Sequence, residues 1–232
     1  MNQTLARLGR SALDLIYPPR CAVCGRGGDF LCDACLARLP AADGRRCPVC
    51  WSPLLEPDCR ACSEHPLPLE RLRAAFRYEG EVRRLIHAFK FGYQSSLAPR
   101  LGAALTACWQ LHAFAADYVV PVPLTGSRRR ERGFNQADLL ARELGRGTGV
   151  PVLPALRRRS FARAQAQSAS AGERRHNVEA AFVADPGVDL AGQRIVLVDD
   201  ITTTGATLAA CTLALLDGGA AAVSALTLAR ED

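Results

Sequence analysis

Ile195-Val196-Leu197-Val198-Asp199-Asp200-Ile201-Thr202-Thr203-Thr204-Gly205-Ala206-Thr207 decides how this chain is read. Ile195 to Val198 is an apolar, β-branched run bounded by polar residues, the pattern of a strand buried on both faces. In open parallel sheets the ligand crevice lies at the carboxyl ends of the strands, which puts Asp199 and Asp200 where a small molecule would sit. Their carboxylates can accept hydrogen bonds from a vicinal diol. The turn after them, Thr202, Thr203, Thr204, Gly205, Ala206 and Thr207, offers hydroxyl donors, a glycine that lets backbone approach closely, and a helix start near Gly205 with free N–H groups and a positive dipole end. A pentose 5-phosphate suits both halves. No lysine comes after the glycine, and neither G-x-x-x-x-G-K-[ST] nor G-x-G-x-x-G occurs, which disfavours a nucleoside-triphosphate loop or a dinucleotide fold.

Around this stretch the apolar periodicity predicts helices over 81–90, 97–112, 134–144 and 205–217 and strands over 117–122, 150–156 and 223–228. Strands alternating with helices imply an α/β domain with a mostly parallel sheet and helices on both faces. The strand ending at Val122 leads into Ser127-Arg128-Arg129-Arg130-Glu131-Arg132, read as a basic loop whose guanidiniums offer bidentate phosphate donors.

Eight of the ten cysteines fall in the first 62 residues, as four C-x-x-C pairs: Cys21/Cys24, Cys32/Cys35, Cys47/Cys50 and Cys59/Cys62. Two such knuckles complete a tetrahedral site of four thiolates, so eight thiolates make two zinc sites, closed and therefore structural. The gaps between pairs, 7, 11 and 8 residues, suggest sequential sites, with an interleaved arrangement as the alternative. The composition shift places a zinc-ribbon domain with an N-terminal helix at 1–65 and the α/β domain at 66–232, joined through Pro-rich His65-Pro66-Leu67-Pro68. In that division, chelation should unfold 21–62 and leave the Asp199 domain folded. Leu5, Leu8, Ala12, Leu15 and Ile16 follow helical spacing ahead of Tyr17-Pro18-Pro19, as in a docking helix.

The net charge of +6 is uneven. Residues 126–175 hold 12 Arg against 4 acids, while 176–232 hold 2 basic residues against 8 acids. Of 29 basic residues only Lys90 is a lysine, so the chain is biased towards arginine and any single Arg is weak evidence. No secretory signal and no apolar run long enough to cross a bilayer is visible, which predicts a cytoplasmic protein with no membrane insertion and with reduced thiols.

The paired acids with their Thr loop resemble the phosphoribosyl-diphosphate (PRPP) signature of type I phosphoribosyltransferases. The wider pattern narrows this. Four cysteine pairs, Tyr78-Glu79-Gly80 with Lys90 twelve residues after Tyr78, Pro121-Val122-Pro123 before Arg132-Gly133-Phe134-Asn135-Gln136, and Glu173-Arg174-Arg175-His176-Asn177-Val178 together resemble the ComF family, also called ComFC or GntX-like. That family joins a double zinc ribbon to a type I phosphoribosyltransferase domain and is linked to natural transformation, the uptake of single-stranded DNA.

The resemblance implies PRPP bound with Mg2+, Asp199 and Asp200 as catalytic residues facing the ribose hydroxyls, and the Thr202 to Thr207 loop on the 5-phosphate. It puts Arg132 on the diphosphate side, with Arg174, Asn177 and either Gln165 or Gln167 from the segment before the last Asp-Asp strand. Ser160 to Gly172, rich in Ala, Ser and Gln, suits a mobile flap. It further implies single-stranded DNA and a competence helicase as partners. No residue stands out as a general base and no feature names an acceptor. The alternative is a non-catalytic module that binds nucleic acid or recruits a helicase. With Phe134 and Phe161 the only aromatics in 126–175, the basic middle suits phosphate contacts more than base stacking.

Overall fold

The computed structural model describes residues 18–91, 95–159 and 181–232. The expected N-terminal helix, the Ser160 to Gly172 segment, Gln165, Gln167, Arg174 and Asn177 lie outside the described residues.

Four parallel strands form the central sheet in the order β1 (Leu72–Arg77), β6 (Ala222–Arg230), β5 (Arg194–Thr202) and β2 (Tyr118–Pro121). The two central strands are nine residues each and almost wholly buried, as a parallel sheet covered on both faces requires. One face carries Val196 and Val198 and packs against α3 (Gly80–Phe91), α4 (Ala98–Leu111) and α6 (Gln136–Thr148). The other carries Ile195 and Leu197 and packs against α7 (Ala206–Asp217) and a small antiparallel pair, β3 (Leu156–Arg158) with β4 (Phe182–Ala184). Helices therefore cover both faces, as expected.

Three elements differ from the sequence expectation. The first strand is β1, not the strand near Val120. Its Leu72, Ala74 and Phe76 do alternate inward, but the outward positions carry Arg73, Ala75 and Arg77, and the apolar Ala75 blurs the period. Residues 150–156 do not make one strand: Val152 forms a single parallel bridge to Val119, and only from Leu156 does β3 begin. Pro151 and Pro154, which have no N–H to donate, break the ladder there. The arginine segment is not a loop but a short helix, α5 (Gly126–Arg132). The Thr125 hydroxyl caps it by accepting from the Arg128 N–H, and Gly133 ends it at φ +76°.

The cysteine segment is docked on the α/β domain and shares its core. Residues 40–42 run antiparallel to the outer edge of β1: the Ala42 N–H donates to Ala75, the Arg77 N–H to Pro40, and Ala41 bridges Phe76. This covers an edge that would otherwise stand open. Cys21, Leu31, Cys35 and Leu39 belong to the same buried cluster as α3 and α4, and Arg100 of α4 pairs with both Asp29 and Asp33. In the second ribbon Trp51 adopts a left-handed φ of 62°, where the first ribbon has Gly25 at φ 73°. Its ring lies 4.3 Å under the Arg73 guanidinium and edge-on to His112 at 4.9 Å, so the contact holds an unusual backbone in place. The groove of about 600 Å3 beside it, lined by Leu36, Trp51, Phe76, Ala107 and Leu111 among others, includes none of the sequence-predicted site residues in its lining.

Candidate functional site

β5 outruns its neighbour on one side only. β2 stops with Pro121 opposite Val198, while on the other side pairing to β6 continues through Asp199 opposite Thr227 to Thr202 opposite Arg230. Asp199 and Asp200 thus lie within the strand, beside a notch left by the shorter β2, in the crevice expected at the carboxyl ends of an open parallel sheet. Because side chains alternate along a strand, the two acids belong to opposite faces: Asp199 to that of α7, Asp200 to that of α3.

Asp200 is buried, and its Oδ2 lies 3.0 Å from Lys90 Nζ at the end of α3. Asp199 is half-buried, and its Oδ1 accepts the Asp200 backbone N–H at 2.8 Å. Desolvation, reinforced by the neighbouring Asp200 carboxylate, pushes the Asp199 pKa up to about 8, against the opposing pull of that N–H, Lys90 and Arg132.

Past the strand, Thr203 and Thr204 are exposed, as is Ala206 in the first turn of α7. Thr204 Oγ1 accepts from the Ala206 N–H at 3.4 Å. Thr207 also stands exposed in that turn. Thr202 is buried, and its hydroxyl has no partner among the described residues. Gly205 caps α7 at φ +81°, a conformation side chains resist. The structure adds a second constraint there: a β-carbon would stand 3.0 Å from Leu67 Cδ2, so the Pro-rich connection packs on the hydroxyl loop.

The Arg132-Gly133-Phe134-Asn135-Gln136 segment divides its labour. Asn135 accepts the Ala137 N–H to cap α6 and donates to the Val122 carbonyl, tying the helix to the end of β2. Phe134 packs against Phe89. Arg132 sits 4.8 Å over the Phe91 ring and donates to Gln136 Oε1 at 3.1 Å. Arg128, Arg129 and Arg130 instead face solvent. Burial and the nearby Arg128 lower the pKa of Arg158 on β3.

Sequence-predicted Asp199, Asp200, the Thr202 to Thr207 loop and Arg132 therefore come together at one end of the sheet. Sequence reading gave no role to Lys90, Phe91 or Gln136, which hold the acids and Arg132 in place. For Lys90 the available signals were its place twelve residues after Tyr78 in the family pattern and its standing as the only lysine.

The cysteines form two groups, Cys21, Cys24, Cys32, Cys35 and Cys47, Cys50, Cys59, Cys62, the sulfurs of each lying within 4.8 Å of one another. Pairing is sequential, not interleaved. Close pairs stand at 3.8 Å (Cys24 to Cys32), 3.7 Å (Cys47 to Cys62) and 3.5 Å (Cys50 to Cys59). A tetrahedral site with Zn–S bonds of about 2.3 Å sets its sulfurs ~3.8 Å apart, so both groups fit zinc and leave no open position. No helix among the described residues is long and apolar enough to cross a membrane.

Residues 12–65 match the double zinc ribbon domain and residues 130–232 the phosphoribosyl transferase domain. The chain is 34% identical to DNA utilization protein YhgH of Escherichia coli (strain K12), over 93% of this chain and 99% of that protein. It is 29% identical to competence protein ComFC of Bacillus subtilis, over 87% of this chain and 84% of that one. Competence protein F of Haemophilus influenzae is 32% identical, over 65% of this chain and 68% of its own length.

Proposed function

We propose that this chain, which belongs to the ComF family alongside YhgH and ComFC, binds PRPP or a related phosphoribosyl ligand with Mg2+ and serves the handling of imported single-stranded DNA. The observation that carries the reading is the convergence, at the notch beside β2, of Asp199 and Asp200 with the open first turn of α7 and with Arg132. The acids accept from the ribose hydroxyls, the Thr203 and Thr204 hydroxyls and the α7 N-terminus take the 5-phosphate, and Arg132 faces the diphosphate.

In a phosphoryl-ribose transfer the acceptor attacks C1 of the ribose while the C1–O bond breaks and diphosphate leaves with the bonding electrons. Mg2+, where bound, neutralises that polyanion. The residues present do not form a metal cage by themselves: the acids diverge to opposite faces, and one oxygen of each is already engaged, by Lys90 and by the Asp200 N–H. The ion fits as part of a metal–diphosphate complex. Arg132, held by Gln136 and Phe91, is oriented in advance for that complex.

The names of its relatives, a DNA utilization protein and two competence proteins, support a role in DNA uptake or use. The exposed Arg128, Arg129 and Arg130 suit DNA phosphates. A competence helicase is a partner consistent with the docked ribbons. Titration calorimetry with PRPP and Mg2+ tests the ligand: micromolar binding in the full chain, lost in the Asp199→Asn, Asp200→Asn double variant, supports the site. Absent binding to a folded protein turns the reading towards a non-catalytic nucleic-acid module.

A further inference from the structure

Two arginines with buried side chains meet at the second cysteine group, Cys47, Cys50, Cys59 and Cys62, and only one of them has a carboxylate. Arg46 pairs through both terminal nitrogens with Asp232. Arg230, at the end of β6 and 5% exposed, forms no ion pair among the described residues. Its Nη2 donates to Ser52 Oγ at 2.5 Å, while its Nε and Nη1 are buried without a partner. Cys50 Sγ lies 3.2 Å from the same hydroxyl, which can donate to that sulfur, once ionised, while accepting from Arg230. A buried cation without a counter-charge is strongly unfavourable. Four thiolates around one Zn2+ leave two negative charges, the counter-charge this guanidinium lacks. In line with that, burial lowers the Arg230 pKa, and Cys50, Asp232 and Cys59 pull against it. The first cysteine group is arranged differently: its arginine, Arg38, belongs to the same ribbon, stands exposed and donates to Cys35 Sγ at 3.7 Å.

We infer that Arg230 is the counter-cation of the second cysteine centre, and that through it zinc in that centre holds the Thr202 to Gly205 loop in place. The link runs through three successive residues. Arg230 stands in register with Thr202 across β6 and β5, and the Glu231 N–H donates to the Thr202 carbonyl at 2.9 Å. Asp232 then returns to the ribbon through Arg46. Residues 230–232 thus clasp the second ribbon on one side and the last residue of β5 on the other, where the hydroxyl loop begins. The Tyr78 N–H, just past β1, donates to the Arg230 carbonyl at 2.7 Å and fixes the clasp from the remaining side. When the ion leaves and the sulfurs take up protons, the two negative charges go with it. Arg230 is then a buried charge facing neutral thiols, and it regains solvation only by moving, which loosens its hold on Thr202.

The test follows zinc loss from the full-length, zinc-loaded chain in excess EDTA, with iodoacetamide trapping each freed thiol and mass spectrometry assigning it. Changing a residue that supports metal ligands typically costs 10- to 100-fold in metal affinity, so Arg230→Met should label the Cys47, Cys50, Cys59 and Cys62 group at least ~10-fold faster and leave the Cys21 group at the wild-type rate. Arg230→Lys, which keeps the charge, should restore most of the retention. Amide exchange reads the second half: in the wild type, loss of the second zinc should speed exchange at residues 202–205, and in zinc-loaded Arg230→Met that exchange should already be fast. Leu67 stays over Gly205 in every variant, so the difference reports the Arg230 link alone. Unchanged labelling in Arg230→Met overturns the inference. So does equal acceleration of both groups, the mark of general destabilisation, or an Arg230→Lys as fast as Arg230→Met. Exchange at 202–205 that ignores loss of the second zinc overturns it as well. Should Arg230→Met not fold, Ser52→Ala removes the hydroxyl between Cys50 and Arg230, and the same selective acceleration is required of it. Neither measurement involves PRPP, so failure of the ligand reading leaves this outcome untouched.

Discussion

Leu67 packs over Gly205 so closely that a β-carbon there would stand 3.0 Å from its Cδ2. The connection between ribbon and α/β domain thus braces the hydroxyl loop. Gly205→Ala meets two obstacles, the φ of +81° and Leu67, and we expect it to cost about 1–2 kcal/mol of stability and to weaken PRPP binding. Leu67→Ala in the same chain removes only the second obstacle. If the double variant recovers full stability by thermal melting, the backbone conformation is not what demands glycine.

Elemental analysis of protein purified under reducing conditions should find two zinc ions per chain, one for each cysteine group. The shared core makes the effect of removing them spread beyond the ribbons. Cys21, Cys35, Leu31 and Leu39 pack with α3 and α4, and residues 40–42 cover β1. Chelation should therefore lower the melting temperature of the whole molecule and raise amide exchange in β1 as well as in the cysteine segment. Exchange confined to 21–62 would return the ribbons to the status of an independent domain.

The centre of this fold was legible because a parallel strand buried on both faces writes an unbroken apolar run, as Ile195 to Val198 does. β1 escaped because it gains its partners from afar. Its outer edge is covered by residues 40–42, more than thirty positions earlier, and its Arg73 reaches out to both Pro48 and Trp51. Window-based periodicity sees none of that. The same limit applies to the site: the acids and the Thr loop are contiguous and readable, whereas Lys90 and Phe91 reach them only through the packing of α3. Arg132 to Gln136 carried helix-cap signals at Gly133 and Asn135, yet the pairing of Arg132 with Gln136 depends on the turn at Gly133, which local periodicity does not encode.

Asp199 makes stability depend on pH in a definite direction. Its folded pKa, about 8, lies above its ordinary value of 3.8, so the folded state binds the extra proton between those limits. Stability is then lost as pH rises towards 8 and levels off beyond it. Asp199→Asn removes the titration. The melting temperature of the variant minus that of the ligand-free wild type should grow from pH 6 to 8 and stay constant to pH 9. A flat difference across pH 6 to 8 would mean that Asp199 is already ionised at pH 6.

The last expectation separates DNA contacts from ligand contacts, which one basic segment had seemed to merge. Arg132 turns into the site between Phe91 and Gln136, while Arg128, Arg129 and Arg130 stand exposed on α5. Changing those three to Ala should weaken single-stranded DNA of any sequence and leave PRPP affinity unchanged. Each phosphate contact with a single strand contributes about −0.7 to the slope of log affinity against log salt, so losing three should flatten that slope by ~2. Arg132→Ala should do the reverse, costing PRPP affinity while sparing the salt slope. Fluorescence anisotropy with a labelled oligonucleotide across a salt series, paired with calorimetry for PRPP, reads both. Were the triple variant to lose PRPP and keep its DNA slope, α5 would belong to the diphosphate site and the nucleic acid would have to be sought elsewhere on the chain.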